Sequence, residues 1–150
     1  MSATTTKTTI GTPAFLSEWS PRLLSVLRIT AALLYMAHGT QKLLGFPDMP
    51  AGRPMPELLT LQGISGVLEV VLGALLALGL FTRPAAFVAS GHMAFAYFIG
   101  HAPRNFFPAL NGGDAAILFC FVFLYLAAAG PGPWSLDAAR TGRGATLTTR

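Results

Sequence analysis

Four stretches of this chain, roughly Leu23 to Leu44, Leu61 to Phe81, Ala85 to His101 and Asp114 to Gly130, are apolar around nearly their whole helical circumference. A helix of a soluble bundle keeps a polar face, with apolar residues recurring at i, i+3, i+4 and i+7. These segments have no such face, and the 150-residue chain is 53% hydrophobic and only 11% charged, so their solvent is lipid. The fold class expected is an all-α membrane protein, a four-transmembrane-helix bundle. The last two segments sit at the short end of the roughly 17 to 25 residues that a span requires, which suits a thin or locally perturbed membrane.

Punctuation residues divide the chain. Pro21 and Pro84 stand at or just before helix starts, Pro47 follows the first helix, and the string GPGP from Gly130 to Pro133 ends the fourth. Residues 1–22 are rich in Thr and Ser, which reads as a flexible tail ending in an interfacial Trp19. Residues 23–137 form the membrane domain, and residues 138–150 a second flexible tail. The N-terminal tail with the apolar segment after it is not expected to be a signal peptide, because Tyr35 or Met36 stands where a cleavage site needs a small residue. Lys7, Arg22, Arg83, Arg140, Arg143 and Arg150 fall on one side of the expected spans, against Lys42, Arg53 and Arg104 on the other. The positive-inside rule then puts both termini in the cytoplasm.

The net charge of +4 comes from basic residues scattered singly, without a patch interleaved with exposed aromatics, so nucleic acid is not a partner. The single cysteine, Cys120, excludes an intrachain disulfide and a thiolate metal cluster.

Inside the apolar segments a few polar groups share faces. Arg28, Tyr35 and Lys42 are spaced by sevens with His38 three beyond Tyr35, and Gln62, Ser65, Glu69 and Gly73 fall on one side of the second helix. His92 lies between Ala89 and Ala96, small residues that let helices approach. At about 1.5 Å per residue from the cytoplasmic ends, Arg28 lies roughly 7 Å deep, His92 about 12 Å, Glu69 about 18 Å, His38 about 22 Å and Lys42 about 28 Å. Glu69 is therefore near the midplane, where a lone carboxylate is costly. By depth its nearest partner is His38, then His92, with Arg28 reaching from below, while Lys42 snorkels to the outer headgroups. In LNGGD, Leu110 to Asp114, Asp114 reads as a helix N-cap, and His101 beside Pro103 as an interfacial residue. His38 and His92 differ by about 10 Å in depth, too far to ligate one iron. With no CxxCH or HExxH motif either, no metal site and no intrinsic cofactor are expected.

The strings RITAALLYMAHGTQKLLGF, GVLEVVLGALLALGLFTRPAA and NGGDAAILFCFVFLYLAAAGPGPWSLD, in that order over roughly residues 22 to 137, resemble the DoxX family of small bacterial membrane proteins. The residues that carry the resemblance are Arg28, His38, Gly39, Gln41, Lys42, Glu69, Arg83, Asn111, Gly112, Asp114 and Asp137, with Asp114 standing where the family also uses Glu. The resemblance implies a four-helix protein of the bacterial inner membrane and, for some members, a subunit or partner of an oxidoreductase, including quinone-linked sulfur oxidation and oxidative-stress complexes. It implies a quinone head group whose carbonyls accept hydrogen bonds from His38, Gln41 or Lys42, with Glu69 buffering protons and Arg28, His92 and Asp114 in support. Side chains cannot store a hydride, so the electrons would come from a redox-enzyme partner subunit and this chain would be an accessory to it. Two other classes stay open at this point. One is a transporter of protons or a small solute, working as a homo-oligomer because one short bundle leaves little lumen. The other is a scaffold whose polar groups only fix helix packing.

Overall fold

The computed structural model describes residues 14–48 and 54–142. Every regular element among them is helical: α1 (Ala14–Leu44), α2 (Leu61–Leu78), α3 (Thr82–Ala96) continued by a π-helical turn (Tyr97–His101), α4 (Pro108–Asn111), α5 (Asp114–Ala129) and α6 (Leu136–Arg140). By length and composition two helices can cross a bilayer, Phe15–Leu44 and Leu61–Leu78, while the apolar α5 is shorter.

Several boundaries differ from those read in the sequence: α2 ends at Leu78 instead of Phe81, and α3 starts at Thr82 instead of Ala85. α1 starts at Ala14, not Leu23, and runs through Pro21. The added turns are held by an i,i+4 ion pair between Glu18 and Arg22 at 3.0 Å, with the Arg22 guanidinium 5.5 Å from the centre of the Trp19 ring. Residues 136–140, partly assigned to a flexible tail, are helical, with the Ser135 hydroxyl accepting from the Ala138 amide. Asp114 is the first residue of α5 and Gly113 occupies the N-cap, so Asp114 acts on the helix only through the dipole. The flexibility expected of residues 1–13 and 143–150 falls outside the described residues.

α1 and α2 pack antiparallel along most of their length, α3 lies on α5, and α2 joins the two pairs, while α1 and α5 touch at few points. The α1–α2 approach is close because both helices present glycine. A Cβ on Gly39 would stand 2.7 Å from the Gly66 carbonyl oxygen and 2.8 Å from the Glu69 Cβ, and one on Gly73 would stand 2.8 Å from the Met36 Cβ. Between the ends of the bundle the core is apolar: Ala31, Ala32, Leu72, Leu76, Ala86, Ala89, Met93, Phe123 and Leu126.

One end of the bundle is closed by backbone-directed charges. Arg28 is fully buried, and its guanidinium donates to the carbonyl oxygens of Pro131 at 2.8 Å, Ala77 at 2.8 Å, Leu76 and Trp134. Two of those carbonyls lie in the last turn of α2, where Leu76 also accepts from the Gly79 amide and the dipole favours a cation. Arg83 does the same for α5, donating to Ala127 at 2.9 Å and to Ala128. Asp137 accepts from the amides of Phe81 and Thr82 at the start of α3, at 3.0 and 2.8 Å, and its own amide donates to the Gly79 carbonyl.

Partial burial works against the Asp137 charge, but the Thr82 and Phe81 amides and the nearby Arg140 outweigh it and hold the carboxyl below its ordinary range. A carboxyl lowered on folding stabilises fully above its unfolded-state value, about 3.9, and the contribution disappears as the pH falls through the folded value. The stability advantage of the native chain over Asp137→Asn should therefore shrink as the pH drops from about 5 to 3, as read from thermal unfolding in detergent at stepped pH.

Candidate functional site

The buried polar cluster lies toward the other end of the bundle. Lys42, in the last turn of α1, sends Nζ to Glu69 Oε1 at 2.6 Å and to Ser65 Oγ at 3.0 Å. Ser65 and Glu69 are one turn apart on α2, and the Ser65 hydroxyl also lies 3.3 Å from Oε1. From α3, His92 puts Nε2 3.0 Å from Ser65 Oγ, and its Nδ1 lies 2.7 Å from the Tyr35 hydroxyl on α1.

Hydrogen-bond counting fixes the direction of this chain. Ser65 has one proton, which it gives to Glu69, so it accepts from His92 Nε2–H, and Nδ1 is left to accept from Tyr35. Tyr35, His92, Ser65 and Lys42 thus all donate toward one carboxylate. Tyr35 is fully buried, with Phe119 and Phe123 of α5 packed around its ring. Glu69 is only 3% exposed and its second oxygen, Oε2, is buried without a hydrogen-bond partner. A carboxylate oxygen so placed is costly to leave unmet. The Lys42 side chain is 26% exposed and forms the open edge of the cluster.

The residues read from the sequence divide into separate places. Lys42, Glu69 and His92 come together. The partner of Glu69 is Lys42, not His38, and Lys42 turns inward instead of snorkelling, because the Gly39–Gly66 approach brings its stem over α2. His38 is exposed and sets its ring edge-on to Phe119 at 6.2 Å between centroids. The helical geometry explains why: relative to Tyr35, Gly39 turns about 40° toward α2 and His38 about 60° the other way, toward α5. Gln41 donates to the Asp48 carbonyl in the following loop. Arg28 does not support the cluster; it belongs to the opposite end, fourteen residues and about 21 Å away. Asp114 is exposed at the start of α5. His101 donates from Nδ1 to the Asn111 carbonyl at 3.1 Å, and Asn111 in turn accepts from the Gly113 amide at 2.7 Å, so the NGG turn is a structural closure.

Tyr35 and Ser65 are the cluster members not assigned to the site from the sequence. Their spacing was the available signal: Ser65 is i−4 from Glu69, and Tyr35 is i−7 from Lys42.

The DoxX family profile matches residues 23–102, more than half of the chain and a span that holds every member of the cluster. The chain belongs to the DoxX family. This DoxX chain is 43% identical over 129 residues to an uncharacterized protein of Haemophilus influenzae, covering 81% of this chain and 93% of the relative. It is 32% identical over 127 residues to the inner membrane protein YphA of Escherichia coli, covering 78% and 89%. No solved structure matches it significantly. The DoxX fold and the inner-membrane relative make this a membrane protein.

Removing Lys42 leaves the Glu69 carboxylate buried and uncompensated. Lys42→Met should cost about 3 kcal/mol, and the double change Lys42→Met, Glu69→Leu should recover most of it, measured as thermal unfolding in a fixed detergent.

Proposed function

We propose that this DoxX-family protein crosses the bacterial inner membrane four times with both termini cytoplasmic and serves as an accessory, quinone-interacting subunit of a membrane oxidoreductase. α1, α2, α3 with its π turn, and α5 supply the four crossings. α3 and the turn together cover residues 82–101, enough for a span, and α5 suits a thinned bilayer. The clustering of Arg22, Arg83 and Arg140 at the Arg28 end supports the orientation, which puts the Lys42 cluster in the outer half.

The observation that carries the functional reading is the unmet Glu69 Oε2 beside a partly exposed lysine. A quinone head group presents carbonyl acceptors when oxidised and hydroxyl donors when reduced, and when bound it supplies the acceptor for electrons. Lys42 and the His38 imidazole, four residues apart at the outer mouth, can donate to such carbonyls. Glu69 can accept a hydroxyl proton at Oε2, and Ser65, His92 and Tyr35 keep its other oxygen oriented. Electrons come from a partner subunit, because these side chains hold protons but not hydride. Conduction of a solute through the bundle is the weaker reading: the apolar layer from Ala31 to Leu76 separates the cluster from the Arg28 end.

The test uses the purified full chain in mild detergent with a short-tailed benzoquinone or naphthoquinone analogue. Binding should weaken by about tenfold or more in Glu69→Gln and in Lys42→Met, since each loses a charged hydrogen bond. Equal binding by all variants, or no binding together with unchanged quinone reduction by a co-purified partner, would sink the reading.

A further inference from the structure

A groove of about 720 Å³ opens at the Arg28 end of the bundle, with Leu24, Phe81, Arg83, Pro131, Asp137 and Arg140 on its walls. Phe81 lies just beyond the end of α2, a helix long and apolar enough to cross a bilayer, so the groove stands at the depth of lipid head groups. Three charges share it. The Arg140 guanidinium lies 5.7 Å from the centre of the Phe81 ring and has no hydrogen-bond acceptor among the described residues. Arg83 donates to α5 carbonyls from its two terminal nitrogens and keeps its Nε–H unused among the described residues. Asp137 takes one amide on each carboxylate oxygen, which leaves each oxygen room for another donor. Between the charges, Leu24, Phe81 and Pro131 make the walls apolar.

We propose that this groove binds a phospholipid whose head group carries a phosphate and a primary ammonium, as phosphatidylethanolamine does, with the phosphate at Arg140 and Arg83 and the ammonium at Asp137. Charge complementarity of both signs selects this occupant. A guanidinium fork suits a phosphate, and basic pockets at helix ends are sites for lipid head groups. A purely anionic head group satisfies the arginines but sets its charge against the Asp137 carboxylate. A quaternary ammonium balances Asp137 but has no N–H to donate to it. Residues 143–150 would bring Arg143 and Arg150 to a groove that already holds two arginines, so the chain's own C-terminal segment is the poorer match. The apolar layer of the bundle separates this groove from Glu69, and the lipid site is independent of any ligand there.

The experiment is native mass spectrometry of the purified full chain in detergent with equal amounts of phosphatidylethanolamine, phosphatidylcholine and phosphatidylglycerol of matched acyl chains. The ethanolamine lipid should be retained severalfold better than either of the others. Arg140→Gln should lower its retention severalfold, and Asp137→Asn should erase its advantage over phosphatidylcholine. Because Asp137 also caps α3, the exposed Arg140 carries the test where Asp137→Asn unfolds. Equal retention of the three lipids would mark ordinary bilayer contact and overturn the site. A preference for phosphatidylglycerol would overturn the assignment of the ammonium to Asp137, and a preference for the ethanolamine lipid that survives Arg140→Gln would place that lipid elsewhere on the chain. Glycerophosphoethanolamine, the same head group without acyl chains, should bind far more weakly; binding as tight as the lipid's would make the ligand a soluble one. A dimer without bound lipid would give the groove to a second copy.

Discussion

A guanidinium sealed in an apolar bundle has to find its acceptors there, and Arg28 finds them entirely in backbone carbonyls: two at the end of α2 and two in the segment after α5. This choice fixes how α1 lies against α2. With Arg28 opposite Leu76 in an antiparallel pair, Met36 falls near Gly73, Gly39 near Gly66 and Val70, and Lys42 near Ser65 and Glu69. A slip of one residue along either helix would put side chains where Gly39 and Gly73 leave room for none. The ion pair at one end and the arginine at the other are thus two readings of one register.

The two ends answer the same problem differently. At the Arg28 end, the side chains of Arg28, Arg83 and Asp137 all go to backbone groups near helix termini and orient three helices. At the Lys42 end, side chains meet side chains, every donor points at one carboxylate, and one oxygen is left over. Charges bound to backbone hold structure, and a buried carboxylate oxygen without a partner retains capacity for a ligand or a proton. That contrast locates the chemistry of this chain on the Lys42 side of its apolar layer.

Much of the helical content was legible because an apolar run bounded by proline and glycine has few alternatives, as at Gly79, whose left-handed conformation ends α2. The stripes holding Tyr35, Lys42, Ser65 and Glu69 were also legible, since helical periodicity alone places residues on a face. Partner choice was not. Depth along separate helices matched Glu69 with His38, but a depth estimate contains no information on which flank of α1 meets α2, and Gly39 decided that for Lys42. The early start of α1 was hidden by Pro21, which reads as a helix boundary but here lies inside a helix supported by the Glu18–Arg22 pair.

The two acceptors that Arg28 finds beyond α5 lie more than a hundred residues along the chain, at Pro131 and Trp134. During synthesis the α1–α2 hairpin, complete at Leu78, therefore exists for roughly a third of the chain's length with two of the four Arg28 acceptors not yet made. The GPGPW turn after α5 thus does more than end a helix: it completes the hydrogen bonding of a side chain on the first one. A chain halted before Pro131 therefore holds an α1–α2 hairpin whose buried guanidinium lacks two of its four acceptors.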